Sequence, residues 1–276
     1  MESVVLFGAG AIGEAIIRRV GANRHLVLAD RNEKNLQDVA FRLRAAGYQV
    51  TTVPVDIAER QAIKKVIQVA ESFGPIVHLI NAAGVSPSQA TIETILAVDL
   101  YGTAVILEEF GKVIAPGSSG IVISSQSGHR LPALGVKNDK LLALTPTDEL
   151  KHLALLDPQK IADPLAAYQL AKRANILRVA AESVNWSQKG ARINAISPGI
   201  VMTPLALDEL NGPRGAGYHK MFNEMVEKRP ATPDEIADLA EFLLSRKAAF
   251  ITGSDYLIDG GISAKYWFGN VSEVRK

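Results

Sequence analysis

The sequence contains no cysteine, which excludes disulfide bonds, thiol nucleophiles and thiolate metal sites. Aromatic residues make up only 6%, and no uninterrupted apolar run is long enough to span a membrane. The formal net charge is only +1, so neither nucleic acid nor an anionic membrane is expected as a partner. The first residues carry no basic segment of the kind found in a signal peptide. These absences predict a soluble, cytoplasmic protein without a metal site.

The chain is rich in short apolar runs that alternate with longer amphipathic segments. Hydrophobic residues make up 47% of the 276 residues, enough for one large core. Continuous hydrophobicity within a run is typical of parallel strands covered by helices on both faces. The alternation predicts a single domain over residues 1–276 with a doubly wound α/β fold. The predicted strands are 4–7, 26–29, 50–55, 76–80, 121–123, 192–196 and 256–258, and the predicted helices include 33–46, 59–73, 92–114, 166–187 and 234–245.

Two segments interrupt this alternation. Residues 129–163 mix leucines with charges and prolines, which predicts one or two short amphipathic helices inserted near the active site. Their leucines either line a substrate pocket or pack the insertion onto the domain. Residues 205–219 are rich in glycine and contain a proline, which predicts a mobile substrate loop.

A glycine-rich turn, Gly8-Ala9-Gly10-Ala11-Ile12-Gly13, follows the first predicted strand and opens a helix. Small residues let the backbone approach a pyrophosphate, and the helix N-terminus supplies free amides and partial positive charge. Such glycine patterns also occur by chance, but this one stands in the required strand–turn–helix context. It predicts a binding site for a dinucleotide cofactor.

The second predicted strand ends in an acidic residue, Asp30. A carboxylate at this place can bind both ribose hydroxyls of adenosine and repels a 2′-phosphate, so Asp30 favours NAD(H). The adjacent Arg31 is suited to bind that phosphate instead, which leaves NADP(H) as an alternative. A simple surface or capping role is the competing interpretation of Asp30.

Small and polar residues also follow the third and fourth predicted strands. Asp56, with Ile57 beside it, is placed to accept a hydrogen bond from the adenine amino group, although capping of the next helix explains it equally well. The run Asn81-Ala82-Ala83-Gly84 ends the fourth strand, where a cofactor would cross the sheet edge.

Tyr168 and Lys172 lie four residues apart on a predicted helix that Asp163 and Pro164 begin. Side chains at this spacing share one helix face. A phenol has a reference pKa of about 10, and a nearby cation lowers it. We therefore predict Tyr168 as the acid/base, Lys172 as its electrostatic helper and Ser125 as the residue that holds a substrate oxygen.

In their order and spacing, these motifs resemble the short-chain dehydrogenase/reductase family over nearly the whole chain. The resemblance implies a seven-stranded Rossmann-like sheet, hydride transfer between nicotinamide and an alcohol or carbonyl substrate, and a homo-oligomer, either a dimer or a tetramer. The insertion at 129–163 resembles that of the hydroxysteroid dehydrogenase/carbonyl reductase type. The matching pieces are the turn Gly8–Gly13, Asp56, Asn81–Gly84, Ser125, Tyr168, Lys172, Pro198-Gly199, Thr203 and Asp259-Gly260-Gly261.

The family resemblance also implies individual roles. Ser125 would orient the substrate oxygen, Tyr168 would exchange its proton, and Lys172 would bind the nicotinamide ribose. The segment Pro198-Gly199-Ile200 and the hydroxyl of Thr203 would hold the nicotinamide carboxamide.

The chain departs from the family pattern in two places. Its glycine turn is one residue shorter, so the hydrogen bonds to the pyrophosphate are expected to differ. Asp99 occupies the position of the family's proton-relay asparagine. An ionised carboxylate accepts hydrogen bonds but cannot donate them, and its charge raises the pKa of a neighbouring phenol. We expect Asp99 to serve in a retained but altered relay.

Two other functions are compatible with these motifs. Nucleotide-sugar epimerases share the tyrosine–lysine pair but carry a larger substrate domain after it, which this sequence does not show. A cofactor-binding sensor without turnover is the other, and Asp99 is its only support. Hydrophobic residues of the 205–219 segment and its surroundings favour an apolar substrate that is steroid-like, alicyclic or acyl, and these residues are Met202, Leu205, Leu207, Tyr218 and Phe222.

Overall fold

A seven-stranded parallel sheet forms the centre of the molecule, as the sequence predicts. The computed structural model describes residues 1–212 and 215–269. The strand order is β3-β2-β1-β4-β5-β6-β7, and every described strand pair is parallel. The strands are β1 Ser3–Phe7, β2 His25–Asp30, β3 Gln49–Pro54, β4 Ile76–Asn81, β5 Ser119–Ile123, β6 Arg192–Pro198 and β7 Asp255–Ile258.

Helices cover both faces of this sheet. Two main apolar clusters fill the space between the sheet and the two helix layers, so the central strands are buried on both sides. This arrangement explains why their sequences are continuously hydrophobic. The helices are α1 Ala11–Val20, α2 Glu33–Ala45, α3 Arg60–Glu71, α4 Ile92–Ile95, α5 Thr103–Val113, α6 Gln126–His129, α7 Val136–Leu144, α8 Pro164–Gln188, α9 Pro204–Asn211, α10 Gly215–Glu224, α11 Pro233–Leu244 and α12 Ile262–Phe268.

The topology places a crevice at the carboxyl ends of β1 and β4. The chain runs from β1 outward to β2 and β3, and then crosses back to place β4 on the other side of β1. Phe7, the last residue of β1, pairs with Ala29 of β2 and Asn81 of β4. The loops that follow β1 and β4 therefore diverge, and such a point is where ligands bind in open α/β sheets.

The helix that carries Asp99 is irregular. Helix α4 continues as a π-helical segment, Leu96–Gly102, before it becomes α5. Asp99 lies inside this wider turn and is buried. Short π-helical segments within α-helices occur frequently at functional sites.

The segment 129–163 contains α7 and two 3₁₀ turns, Thr147–His152 and Ala154–Leu156. Its buried leucines Leu142, Leu150 and Leu156 pack against the alanines of α8. Of the two roles expected for the leucines of this segment, these three residues therefore show packing onto the domain, whereas Leu144 is exposed and none of the segment's leucines lines the substrate cavity.

The prediction of a loop at 205–219 is wrong for most of its length. Helices α9 and α10 occupy Pro204–Asn211 and Gly215–Glu224, and residues 213 and 214 lie outside the described residues. Helix α9 begins where Thr203 caps the amide of Ala206 and Pro204 takes the first helical position. The glycines suggested a loop, but this N-terminal signal and the contacts between α9 and α10 favour helices. Within the described ranges, no helix is both long and apolar enough to cross a bilayer.

Candidate active site

Two adjoining cavities open at the carboxyl edge of the sheet. We call the first, of about 640 Å³, the cofactor cavity. We call the second, of about 340 Å³, the substrate cavity. The segment Ala82–Val85, together with Ile12, Thr203 and Leu205, lines both cavities. A ligand in one cavity therefore lies beside a ligand in the other.

The glycine turn is tightly packed around the cofactor cavity. Gly8 has φ +84°, and a Cβ atom on it would lie 2.4 Å from the amide nitrogen of Ala83. A Cβ atom on Gly13 would lie 2.3 Å from the carbonyl oxygen of Gly8. Gly10, by contrast, has open space and stands at the N-terminus of α1 without a side-chain cap. The free amides of α1 therefore face a cavity that suits a pyrophosphate.

The acidic residues predicted for the cofactor's adenosine line the same cavity. Asp30 accepts hydrogen bonds from the amides of Ala9 at 2.7 Å and Asn32 at 2.8 Å. Asp56 accepts one from the amide of Ala58 at 2.9 Å, within the turn before α3. The N-cap of α3 is Glu59 and the helix has no side-chain cap, so the capping interpretation of Asp56 is wrong. Arg31 extends to within 4.0 Å of the Asp56 carboxylate and is largely exposed. Ile57 completes this side of the cavity.

The substrate cavity brings together the three predicted catalytic residues Ser125, Tyr168 and Lys172. Ser125 stands at the end of β5, where its Oγ accepts a hydrogen bond from the amide of Ser127 at 3.1 Å. Tyr168 and Lys172 lie on α8, which Asp163 caps through the amide of Ala166 at 2.8 Å. Helix α8 and the end of strand β5 thus place the three side chains in the same cavity.

A hydrogen bond fixes α8 against the end of β5. Ser124 Oγ donates to the carbonyl oxygen of Lys172 at 2.9 Å in a buried environment. A Cβ atom on Gly128 would lie 2.8 Å from the amide nitrogen of Arg173, which shows how closely α6 approaches α8. The distance between Ser125 and Tyr168 is therefore set by backbone packing.

Asp99 lies next to the side chain of Lys172. Its Oδ1 lies 3.7 Å from Lys172 Nζ and accepts a hydrogen bond from the amide of Val85 at 3.0 Å. Its Oδ2 has no hydrogen-bond partner among the described residues. Gly84 is required here, because a Cβ atom on it would lie 2.6 Å from Asp99 Oδ1. The carboxylate is therefore part of the site, in direct contact with Lys172.

The pKa of Tyr168 differs from the expectation based on Lys172 alone. Burial raises the pKa of Tyr168 above its ordinary value, and the Lys172 ammonium lowers it without outweighing burial. The Asp99 carboxylate raises the pKa of Tyr168 further, as its charge predicts. The predicted lowering by Lys172 is therefore present, but loss of hydration outweighs it and the net pKa of Tyr168 is raised.

The pKa values of Lys172 and Asp99 are coupled. Burial lowers the pKa of Lys172, but attraction to Asp99 and Tyr168 more than compensates, and the net pKa is raised. Burial also raises the pKa of Asp99, and the contacts with Lys172 and the Val85 amide oppose this change. Lys172 therefore holds its proton firmly, as a cation that supports a phenolate must.

Most of the remaining predicted residues border the cavities, but Asn81 is buried, lines neither cavity and donates from Nδ2 to Thr103 Oγ1. Pro198, the last residue of β6, lines the substrate cavity together with Gly199 and Ile200. Thr203 borders both cavities, and its Oγ1 accepts a hydrogen bond from the amide of Ala206 at 3.1 Å. Its hydroxyl thus starts α9 and faces the cavities at the same time.

The substrate cavity contains residues that the motifs do not predict. Of the predicted apolar residues, Leu205 and Tyr218 line it, whereas Met202, Leu207 and Phe222 do not. Phe222 packs beside the cavity in a cluster that also contains Tyr218. No repeated spacing marks the additional lining residues, because they converge from five separate segments. These residues are Ser86, Pro87, Gln126, Ser127, Arg130, Leu165, Val201, Ala206, Glu209, Gly217 and Met221.

Comparison with protein families finds two matching models that together cover most of the chain. A family model described as short chain dehydrogenase matches residues 2–136. A second model, described as enoyl-(acyl carrier protein) reductase, matches residues 152–263. The first match contains the cofactor cavity's glycine turn, and the second contains Tyr168 and Lys172.

Individual proteins show the same similarity. A short-chain dehydrogenase/reductase of Alternaria brassicicola is 38% identical over 265 residues, which cover 95% of this chain and 96% of that protein. A 3-alpha-hydroxysteroid dehydrogenase/carbonyl reductase of Comamonas testosteroni is 30% identical over 236 residues, covering 80% of this chain and 90% of that protein. The solved structure of a short-chain dehydrogenase/reductase from Serratia marcescens shares the fold, with a TM-score of 0.74, 23% identity, and coverage of 95% of this chain and 97% of that one.

Proposed function

Because this chain belongs to the short-chain dehydrogenase/reductase family of NAD(P)-binding oxidoreductases, we propose that it transfers a hydride between nicotinamide and a secondary alcohol or ketone. One observation carries this proposal. Ser125, Tyr168 and Lys172 meet in a cavity that adjoins a second cavity built around a glycine turn.

The residues of the cofactor cavity fit a nicotinamide dinucleotide. The uncapped N-terminus of α1 would hold the pyrophosphate, Asp30 the adenosine ribose, and Asp56 and Ile57 the adenine. The nicotinamide half would be held by Ala82–Gly84, Lys172, Pro198–Ile200 and Thr203, with Asn81 buried behind this segment. The bound cofactor supplies hydride donation or acceptance, and the protein supplies position and electrostatic environment.

The side chains of the substrate cavity bind the substrate oxygen, transfer its proton and stabilise the phenolate. Ser125 Oγ holds the substrate oxygen, and the phenolic oxygen of Tyr168 takes its proton in oxidation or returns it in reduction. Lys172 stays protonated and stabilises the phenolate, which offsets part of the effect of burial on the pKa of Tyr168. Asp99 takes part by holding Lys172 in place and by keeping its ammonium charged. We propose this contact as the form that the altered relay takes in this protein.

Charge and contacts favour NAD(H) as the cofactor. The Asp30 carboxylate is fixed by two backbone amides, whereas Arg31 is exposed and turned toward Asp56. A 2′-phosphate would meet the fixed negative charge of Asp30 first, so binding of NADP(H) depends on a rearrangement of Arg31.

The substrate we infer has a mainly apolar body, since Leu165, Ile200, Leu205 and Met221 line the substrate cavity. The hydroxysteroid dehydrogenase named above supports an alicyclic compound.

We also infer a homo-oligomer. Tyr266, Trp267 and Phe268 remain between 46% and 67% exposed on α12, although the Trp267 indole donates to the carbonyl of His129. Exposed aromatics on a short terminal helix are typical of an interface. Light scattering on the purified protein tests this inference, and a monomer at micromolar concentration would contradict it.

The main proposal is tested with Tyr168→Phe in an assay of a panel of secondary alcohols and ketones with NAD(H) and NADP(H). We expect the variant to lose about 10²–10⁴-fold in kcat while binding the cofactor normally. Tyr101→Phe is the matched control, because Tyr101 contacts Asp148 outside both cavities. Cofactor binding without turnover of any substrate by the wild-type protein would indicate a sensor instead.

A further inference from the structure

Helix α9 buries the carboxylate of Glu209 and exposes two of its three leucines. Leu205 and Leu207 are 40% and 49% exposed, whereas Glu209 is 6% exposed. Within Pro204–Asn211, Glu209 is the buried residue. A helix that only covers a core would show the opposite pattern, because burial removes the hydration of a carboxylate. Such a reversal of the usual pattern is expected at functional sites.

Hydroxyl groups hold Glu209 in the wall of the substrate cavity. Its Oε2 accepts hydrogen bonds from Ser88 Oγ at 2.7 Å and from Tyr218 Oη at 3.0 Å. Its Oε1 accepts another from Ser86 Oγ. Ser86, Glu209 and Tyr218 all line the substrate cavity, and they come from the loop after β4, from α9 and from α10. This part of the cavity wall is a carboxylate surrounded by hydroxyl donors.

Glu209 and the reaction centre share the same cavity. Burial is the largest influence on the pKa of Tyr168, and the Glu209 carboxylate adds to it by raising the pKa further. Both side chains line this cavity, whose volume is about 340 Å³. A substrate that places its reacting carbon at Tyr168 therefore brings another part of its skeleton to Glu209.

We propose that Glu209 determines specificity by accepting a hydrogen bond from a second hydroxyl group of a neutral substrate, a diol or a hydroxyketone. This inference rests on the proposed function and narrows its substrate class. A substrate hydroxyl has the same chemistry as the serine and tyrosine hydroxyls around Glu209, so it joins or replaces them. A purely apolar group at this place forms no such bond, and an anionic group is repelled.

The test compares cyclohexanol with 1,2-, 1,3- and 1,4-cyclohexanediol, which share one ring and differ in the second hydroxyl. Binding to the cofactor-loaded protein is measured by calorimetry, and turnover by NAD(P)H absorbance. The variants are Glu209→Gln, which keeps the size and removes the charge, and Asp208→Asn. Asp208 is the matched control, because it is exposed and adjacent on the same helix.

We expect the wild-type protein to prefer at least one diol over cyclohexanol by about tenfold or more, as one hydrogen bond to a charged group allows. Glu209→Gln should reduce this preference to about twofold by weakening the diol alone, and Asp208→Asn should keep it. Equal affinity for cyclohexanol and every diol would overturn the proposal. An equal loss for both compounds in Glu209→Gln would also overturn it, since Glu209 would then only fasten α9 to the loop after β4.

Failure of the proposed function gives a different result. Glu209-dependent diol binding in calorimetry, without NAD(P)H formation, would support the hydroxyl site and reject the oxidoreductase reaction. If Glu209→Gln does not fold, Ser88→Ala provides the second variant. It removes one competing hydroxyl, so we expect diol affinity to rise several-fold and cyclohexanol affinity to stay unchanged. The same change for both compounds would count against the proposal.

Discussion

Lys172 Nζ lies 3.7 Å from Asp99 Oδ1, and both side chains are buried between α8 and the π-helical segment. A buried ion pair stabilises the fold little by itself, but removal of one partner leaves an uncompensated charge. Here the pair has a second consequence, because both charges act on Tyr168 in opposite directions. The pH dependence of catalysis therefore reports on Asp99.

We expect Asp99→Asn to shift the pH profile of alcohol oxidation toward lower pH. Oxidation requires the deprotonated phenol, so its rate rises with pH through the pKa of Tyr168. The Asp99 carboxylate raises the pKa of Tyr168, so removal of its charge should move the midpoint to lower pH. The measurement is kcat/KM against pH, with the surface variant Asp38→Asn as the control. An unchanged profile would show that Asp99 has no role in the proton transfer.

Cofactor choice is predicted to depend on Asp30 and Arg31. We expect the wild-type protein to bind NADH at least about tenfold more tightly than NADPH, because a 2′-phosphate meets the carboxylate of Asp30. Asp30→Asn should narrow the difference by strengthening NADPH binding, and Arg31→Ala should weaken NADPH binding alone. Calorimetric titration with both cofactors measures these changes. A wild-type preference for NADPH would mean that Arg31 dominates.

Stability is predicted to fall in acid because of His78. This buried side chain contacts Ser119 Oγ through Nδ1 at 3.1 Å, and burial lowers the pKa of His78 from 6.5 to about 4. The depressed pKa means that the unfolded chain takes up a proton between pH 6.5 and 4 while the folded protein does not. The contribution of His78 to the free energy of unfolding should therefore be fully present above pH 6.5. It should be lost, by about 3 kcal/mol in total, as the pH falls through 4.

The comparison for His78 uses urea unfolding of the wild type and His78→Asn at pH 7.5 and 4.5. The variant keeps an amide that can donate to Ser119 but does not titrate. It should lose less stability than the wild type over this interval. Parallel losses in the two proteins would assign the acid sensitivity to other groups.

The stable attachment of the segment 129–163 to α8 is predicted to depend on Arg178. This residue of α8 is 2% exposed and donates hydrogen bonds to the carbonyls of Leu142 and Thr145 and to Thr147 Oγ1. We expect Arg178→Met to lower the free energy of unfolding by about 2–4 kcal/mol, because three acceptors lose a buried charged donor. The activity at 25 °C should change little, since the packed leucines of the insertion do not line the substrate cavity.

Arg173→Met is the matched control for this experiment. Arg173 also lies on α8 and contacts the insertion, but its ion pair with Asp139 at 3.3 Å is partly exposed. Such a pair contributes about 0–1 kcal/mol. Similar losses in both variants, measured by urea unfolding, would argue against a special role for Arg178.

The sheet and its order of elements follow from local patterns in the sequence. Buried parallel strands require continuous apolar runs, and the runs at 4–7 and 76–80 lie within β1 and β4. The seven-stranded fold and the family resemblance are thus confirmed. The segment 205–219 was predicted wrongly as a loop. Its glycines suggest a loop, whereas the cap at Thr203 and the packing of α9 on α10 favour helices.

Local spacing alone was sufficient to predict that Tyr168 and Lys172 share one helix face. The surroundings of these two side chains became visible only in the folded protein. Burial reversed the expected pKa shift of Tyr168, because desolvation depends on every neighbouring segment. No sequence motif predicted that Glu209 lines the cavity, because its partners Ser86 and Ser88 lie more than a hundred positions away in the sequence. Hydrophobic periodicity shows which face of a single helix or strand is buried. The charge and solvation of a side chain, in contrast, depend on all the segments that meet in the folded site.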